Sequence, residues 1–329
     1  MKIKNIILLS ACILSLVSGG CSRKSQEPKL KSVSIAFQSW IGYGPLYLAD
    51  ELGFFKDEGI EVIFVDEQLD SARRDAFKAG ILDCEAGTLD LLINKRAQGI
   101  PIVSVFDIDL SFGADAIVAT SQIKELKDLI GKRVAFAMGN VSDTFISCVF
   151  SKEGLRMEDI NIVAINPDKA ADVFLAGQVD AVVTWEPLVS KALERPGAHI
   201  LLSSKDRPGI IVDTFNIRED IIKNDPGLVK GIMRAWFRAF KFCEENPSEA
   251  NRIISRHFNI SPDEFKKEAL GLKWIDYKDQ ISDVECEKRC EVFDLIAQIK
   301  LERKTIISKP DAESGTNRKL IKELYENSQ

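Results

Sequence analysis

A short segment that occurs twice constrains this chain more than any other feature. Residues 77–83 are Phe-Lys-Ala-Gly-Ile-Leu-Asp, and residues 174–180 are Phe-Leu-Ala-Gly-Gln-Val-Asp. Each copy has the pattern of a helix that ends at a glycine, followed by a short apolar strand and a polar turn. The repeat therefore predicts two similar α/β lobes. Because open α/β sheets bind ligands at the carboxyl ends of their strands, two such lobes predict a binding cleft between them.

Length and charge narrow the class of protein. A chain of 329 residues can form two cores of ordinary size. Its net charge of -6 and pI near 5.3 argue against a nucleic-acid partner, which would require a basic surface. A glycine-rich turn follows the first predicted strand, but the third glycine of the dinucleotide pattern falls at Tyr47. We therefore expect no nucleotide cofactor.

The cysteines predict neither a disulfide framework nor a metal site. Cys84 and Cys148 lie in apolar runs, which is typical of small core residues. Cys286 and Cys290 share a helix face at a spacing that seldom allows a bridge, and no histidine stands near them.

The first residues have the pattern of an export signal. Lys2 and Lys4 precede an apolar run that ends in Ser18-Gly19-Gly20-Cys21. We expect a signal peptide at 1–20, lipidation of Cys21 and a polar linker at 21–31, so the protein would be anchored in the periplasm or at the cell surface. Ordinary signal-peptidase cleavage is the alternative, because Ser18 stands where most lipoproteins have leucine.

The remaining pattern divides the chain into two lobes. Residues 32–120 and 210–310 are predicted to form lobe one, residues 121–209 lobe two, and residues 311–329 a C-terminal tail. Strands at Ile102–Ile108 and Ala116–Ala119 are assigned to lobe one, and a short helix at Ile123–Lys132 leads out of it. The chain would cross between the lobes near Thr120 and near Gly209, which makes a hinge. After Asp220 the pattern is helical, and its aromatic residues are expected in the core of lobe one.

Six short motifs in one order resemble a known family. They are Trp40-x-Gly-Tyr-x-Pro45, Glu51-x-Gly-Phe-Phe55, Gly59-Ile-x-Val62, Gly113-Ala-Asp-x-Ile-Val-Ala119, Ala176-Gly-x-Val-Asp180 and Trp185-Glu-Pro187. Together they resemble the substrate-binding proteins of ATP-driven (ABC) importers for nitrate, sulfonates and taurine, and the related thiamine-pyrimidine-binding proteins. The resemblance implies a type II periplasmic binding protein fold that closes on a small molecule and delivers it to a membrane permease. It implies no catalysis, and we expect a monomer.

An enzyme is the alternative from another class. The pyrimidine-synthesis enzymes are relatives of the same family, but they use His and Cys clusters. This chain has only His199 and His257, and it contains no G-x-S-x-G elbow and no Walker loop. We therefore predict no catalytic residues.

Candidate ligand contacts in lobe one follow its strands. Trp40 and Tyr43 come after the first strand, beside Gly44, and could form a stacking wall next to free backbone amides. Thr88 occupies the corresponding turn after the third strand, where it either contacts the ligand or caps a helix. Asp115 and Asp213 stand in apolar strands near the two crossovers. Buried carboxylates need partners, so these two either hold an amine of the ligand or pair with groups at the hinge.

Lobe two contributes Ser142, Trp185 and Glu186. Ser142 precedes a helix, so it either helps to bind an anion or serves only as an N-cap. Trp185 and Glu186 end a strand, and Glu186 either holds a cationic group or caps the following helix. A pocket built from Asp115, Glu186 and Asp213 would repel a plain anion. The predicted ligand is therefore organic, with a sulfonate or taurine-like compound first and a pyrimidine or other aromatic compound second.

Overall fold

The structure of the protein is a computed structural model that describes residues 29–67 and 69–326. The predicted signal peptide, Cys21 and most of the predicted linker lie outside the described residues. Within the described residues, no helix combines the length and the apolar character needed to cross a membrane.

The described residues form two β-sheets with helices packed on them. In chain order the strands are β1 (Lys31–Phe37), β2 (Ile60–Asp66), β3 (Cys84–Thr88), β4 (Ile102–Ser111), β5 (Asp115–Ala119), β6 (Arg133–Phe136), β7 (Asn161–Ala164), β8 (Ala181–Trp185), β9 (His199–Ser203), β10 (Val212–Arg218) and β11 (Leu272–Trp274). The α-helices are α1 (Gly44–Glu51), α2 (Phe54–Asp57), α3 (Asp70–Lys78), α4 (Leu89–Ala97), α5 (Val141–Glu153), α6 (Ala170–Leu175), α7 (Leu188–Ala192), α8 (Glu219–Asn224), α9 (Pro226–Glu245), α10 (Pro247–His257), α11 (Pro262–Glu268), α12 (Asp283–Glu302) and α13 (Lys319–Glu326).

The two sheets share one topology. Lobe one contains the sheet β11-β4-β10-β3-β1-β2, and lobe two contains the sheet β7-β6-β8-β5-β9. In each sheet three parallel strands are followed by an antiparallel strand, β10 or β5. Each of these antiparallel strands is the first one that the chain forms after it enters the lobe. The structure thus confirms the two matched α/β lobes that the repeated segment predicts.

The position of β5 corrects the predicted lobe boundary. The sequence assigns residues 116–119 to lobe one, but β5 pairs with β8 and β9 in the sheet of lobe two. The first crossover therefore lies at residues 112–114 rather than near Thr120, and the second lies at residues 204–211, which include Gly209. A fully buried strand has the same apolar pattern in either sheet, so periodicity cannot assign it. The division of the remaining residues between the lobes stays a prediction.

A second local prediction is also wrong. The segment 123–132 contains only a 3-10 turn at Leu126–Leu129 in place of the predicted short helix.

The aromatic helix after the second crossover belongs to the core of lobe one, as predicted. Trp236 of α9 is fully buried, and α9 packs against α1. Phe237 packs against the same cluster. Cys84 and Cys148 are buried, and all the described cysteines are free. The apolar patterns of these residues therefore reflect core packing.

Helix α12 contacts both lobes. It packs on α4 of lobe one and on α5 of lobe two. Leu92 of α4, Phe145 of α5 and Ile296 of α12 consequently share one hydrophobic cluster. The lobes are thus joined by packing as well as by the two crossovers.

The segment predicted as a C-terminal tail returns to lobe one. The Ser104 amide donates to the Gly315 carbonyl at 3.0 Å, and the Asn317 amide donates to the Ser104 carbonyl at 2.7 Å. Helix α13 then buries Leu320 and Ile321. The described part of this segment is therefore integrated into the lobe.

Candidate ligand-binding site

A small cavity lies between the lobes at the carboxyl ends of their parallel strands. The empty space there is about 240 Å³, part of which is open to solvent. It is lined by Gln38, Trp40, Thr88, Asp115, Val141, Trp185, Ile211 and Asp213. Five of the predicted contacts are in this lining, and the indoles of Trp40 and Trp185 belong to the same cavity. Both lobes therefore contribute to one site.

The turn after β1 brings two aromatic side chains against two carboxylates. The Trp40 indole Nε1 donates a hydrogen bond to Asp109 Oδ2 at 3.1 Å, and the Tyr43 hydroxyl donates one to Asp213 Oδ1. A Cβ atom at Gly42 would lie 2.0 Å from Asp109 Oδ2 and 2.3 Å from Trp40 Nε1. Glycine is therefore required at this position for the indole and the carboxylate to approach.

Sheet register aligns the polar groups of lobe one. Asp213 on β10 stands opposite Asp109 on β4 and opposite Thr88 on β3. Side chains in such positions project from the same face of a sheet, so the three residues form a row. The Thr88 hydroxyl donates to Asp90 Oδ1 at 2.6 Å. Thr88 thus lines the cavity and also bonds to the first turn of α4.

The two carboxyl groups in this row are hard to ionise. Burial raises the pKa of Asp109 to about 7, the hydrogen bond from Trp40 opposes the rise, and the charge of Asp115 adds to it. Burial also raises the pKa of Asp213 well above its ordinary value, the charge of Asp109 adds to the rise, and the hydrogen bond from Tyr43 opposes it. The low dielectric of the site and the like charges within it therefore both favour protonation when no ligand is bound.

Asp115 and Trp185 form the corresponding pair in lobe two. They stand opposite each other at the start of β5 and the end of β8. Burial raises the pKa of Asp115 to about 7, a hydrogen bond from Ser111 opposes the rise, and the charges of Asp90 and Glu186 add to it. Trp185 is half-buried and packs against apolar clusters of both lobes. Its packing would therefore change if the two lobes moved apart.

Glu186 lies outside the cavity. Its Oε2 accepts from the Ser190 amide at 2.9 Å, and its Oε1 accepts from the Ser190 hydroxyl at 3.0 Å. It lines a separate groove that also includes Glu268 of α11. Of the two predicted roles, the contacts in the structure are those of a helix cap.

Three further predicted residues lie beside the cavity without lining it. Ser142 is buried as the second residue of α5, and the N-cap is Asn140, whose Oδ1 accepts from the Val141 amide at 2.6 Å. The N-cap role considered for Ser142 is therefore wrong. A Cβ at Gly44 would lie 2.5 Å from a methyl group of Ile254, so Gly44 faces the core. Tyr43 contributes through its bond to Asp213.

The sequence as a whole identifies the family. Residues 40–250 match the family model described as NMT1/THI5 like. The chain belongs to this family. A Bacillus subtilis protein with the name "Putative aliphatic sulfonates-binding protein" is 29% identical to this NMT1/THI5-like chain over 263 residues, which cover 77% of each sequence.

Solved structures define the fold of this NMT1/THI5-like chain. It matches the periplasmic aliphatic sulphonate binding protein SsuA from Escherichia coli with a TM-score of 0.73 at 18% identity, over 86% of this chain and 96% of that chain. It matches the periplasmic nitrate-binding protein NrtA from Synechocystis PCC 6803 with a TM-score of 0.68 at 16% identity, over 91% and 89% of the two chains. The fold is that of the periplasmic binding proteins, which confirms the fold class and the resemblance.

Polar contacts beside the cavity hold the lobes of the NMT1/THI5-like chain together. Asp90 of α4 accepts from the Thr144 hydroxyl of α5 at 2.9 Å and from Lys300 Nζ of α12 at 3.3 Å. Arg303, the residue that follows α12, donates to Asp143 of α5 at 2.5 Å. Because these bonds join elements of both lobes, separation of the lobes would have to break some of them.

The sequence analysis did not predict four residues at the site. Gln38, Val141 and Ile211 line the cavity without a local motif. Asp109 lies one residue past the predicted end of its strand, and an acidic residue in that apolar run is the signal that could have found it. Among residues 29–67 and 69–326, no group of three or more His, Cys, Asp or Glu side chains could hold a metal ion.

Proposed function

We propose that this chain is an extracytoplasmic solute-binding lipoprotein of an ABC importer. It captures a small organic ligand between its lobes and delivers it to a permease in the inner membrane. The cavity between Trp40 and Trp185 carries the proposal, because a ligand that contacts both lobes favours the closed state, which then docks on the permease. The names of the sulfonate-binding and nitrate-binding relatives support a transport role.

The ligand proposed first is a sulfonate, and specifically a taurine-like compound that carries an amino group. The names of the relatives favour a sulfonate, whereas the acidic lining from Asp115 and Asp213 disfavours a plain anion. A zwitterion that carries both a sulfonate and an ammonium group agrees with the names of the relatives and with the acidic lining. The second candidate is a pyrimidine or another aromatic compound, which the aromatic side chains of Trp40 and Trp185 favour.

The proposal includes no catalysis and no cofactor, and the protein acts as a monomer. Neither histidine lines the cavity: His257 stacks on Tyr47 and contacts Glu51, and His199 begins β9. An enzyme of the pyrimidine-synthesis type remains the alternative, and the lining contains neither the His nor the Cys side chains that those relatives use.

Calorimetry of the purified mature protein tests the proposal. The panel contains alkanesulfonates, taurine, aminopyrimidines, nitrate and sulfate, and small-angle X-ray scattering follows the radius of gyration. We expect saturable binding of an organic compound, a smaller radius of gyration in the complex and no chemical change in the ligand. Binding of nitrate alone would remove the argument from the acidic lining. Turnover of a bound compound would establish the enzyme alternative.

A further inference from the structure

We infer that the cavity recognises a positively charged nitrogen group, either a protonated amine or an amidinium, through Asp109, Asp115 and Asp213. This inference rests on the proposed solute-binding function and narrows its ligand class.

The three carboxylates are exceptional among the buried acids of the described chain. The other buried acidic side chains each have a Lys or Arg partner within 4 Å, namely Glu85 with Arg73 and Lys95, Asp90 with Lys300, Asp107 with Arg289 and Arg318, and Asp143 with Arg303. In residues 29–67 and 69–326, no ion pair includes Asp109, Asp115 or Asp213, although their exposed fractions are only 0%, 3% and 2%. The fold therefore neutralises its buried carboxylates everywhere except at this site.

Two of the three residues line the cavity, and the third lies next to one of them in the sheet. Asp115 and Asp213 line it from different lobes. Asp109 stands opposite Asp213 in the sheet, and its Oδ1 is buried without a hydrogen-bond partner in the described structure. Burial of a carboxylate without a partner costs several kcal/mol, so a cationic group bound against the neighbouring Asp213 would relieve an unfavourable arrangement.

The surroundings favour an organic cation over a metal ion or an anion. Trp40 and Trp185 provide aromatic surface, which attracts cationic nitrogen groups. The lining contains no Lys or Arg that could meet an anion. At the start of α5 the Val141 amide is bonded to Asn140, and the buried Asp143 places a carboxylate in the first turn.

Matched ligand pairs test the charge requirement directly. Each pair shares a skeleton and differs in the nitrogen group: taurine against ethanesulfonate, benzamidine against benzoate, and butylamine against butyrate. Thermal-shift and calorimetric titrations at pH 8 are expected to show binding for the nitrogen-bearing member of at least one pair and none for its partner. Tighter binding of ethanesulfonate, benzoate or butyrate than of its nitrogen-bearing partner would overturn the inference.

Charge-removing variants provide a test that needs no ligand. Asp115→Asn and Asp213→Asn keep the shape of the side chain and remove a buried carboxyl group that no Lys or Arg of the described residues pairs. Each is expected to raise the melting temperature of the ligand-free protein at pH 8 and to weaken binding of the nitrogen-bearing probe at least tenfold. Asp172→Asn is the matched control, because Asp172 is an exposed acid on lobe two, and it should leave the affinity unchanged.

The outcomes separate this inference from the proposed function. A lower melting temperature for both site variants, together with unchanged affinity, would show that the carboxylates serve the fold, and the inference would fail while transport stands. If no compound in either panel binds or changes the radius of gyration, the solute-binding function itself fails.

Discussion

Asp109 and Asp213 stand directly opposite each other on the antiparallel strands β4 and β10, and no Lys or Arg of the described chain pairs with either carboxylate. Each instead accepts a single aromatic donor, Trp40 or Tyr43. Two like charges in this position repel each other, so the ligand-free protein retains protons that the unfolded chain would release. The pH dependence of folding reports on this arrangement.

The free energy of unfolding of the ligand-free protein should contain a contribution that decreases from about pH 4 to above pH 7. The pKa values of Asp109 and Asp115 are about 7 in the folded protein, against about 3.9 in an unfolded chain, so the folded state binds more protons in that interval. This stability is fully present below the unfolded pKa and is lost as the pH rises through the folded pKa.

The groups that act on Asp115 are acidic, namely Asp90, Asp109, Asp213 and Glu186, and the adjacent cation Lys300 is paired with Asp90. Urea unfolding of the wild type and Asp115→Asn at pH 5, 7 and 8 measures the effect. The variant should show a smaller loss of stability between pH 5 and 8. Identical slopes for the two proteins would contradict the prediction.

Trp185→Ala should weaken ligand binding at least tenfold while the protein stays folded. The indole is half-buried between the lobes, so its loss removes contact area from the closed state more than from either core. Calorimetry and circular dichroism provide the two readouts. Ile307→Ala is a suitable control because Ile307 is 91% exposed. A variant that binds normally, or that loses its fold, would identify Trp185 as a core residue.

Glu186→Ala should lower stability by about 0.5–2 kcal/mol, which is the usual cost of losing a helix cap. Its carboxylate accepts two hydrogen bonds from Ser190 and lies outside the cavity, so ligand affinity should change less than twofold. Urea unfolding and calorimetry on the same preparation distinguish the two roles. A large loss of affinity at unchanged stability would show that Glu186 contacts the ligand.

Lys300→Met should destabilise the protein by about 3–5 kcal/mol, because it leaves the buried Asp90 without its cation. The double variant Asp90→Asn with Lys300→Met removes both charges, and it should recover most of that stability. Chemical denaturation of the two variants provides the comparison. Equal stability of the single and double variants would mean that Thr88 and Thr144 alone satisfy Asp90.

Cys21→Ser should release the protein from the membrane fraction of its native cell. The prediction depends on the Gly-Gly-Cys pattern at residues 19–21. Fractionation followed by immunoblotting of wild type and variant would measure the change. A wild type that is itself recovered outside the membrane fraction, like the variant, would favour an unlipidated product of ordinary cleavage.

The sequence predicted the lobes better than it predicted the site. The Ala-Gly segments mark the helix that precedes the third parallel strand of each sheet, so local pattern was sufficient to find the repeat. The local pattern could not assign β5 to a sheet, because a strand that is buried on both faces has the same apolar pattern in either sheet. Asp109 was missed for a related reason. Its role depends on register with Asp213, which lies more than a hundred residues later in the chain.

Every strand of lobe two comes from the uninterrupted stretch 115–203, whereas lobe one is assembled from two separated stretches. A gene fragment that covers residues 112–211 could therefore be exchanged between relatives as a single cassette with two junctions. Such a chimera would carry the native Asp115 and Trp185 together. Its α5 would meet a foreign α12, so the graft would succeed only where the host helix matches the apolar surface of Phe145.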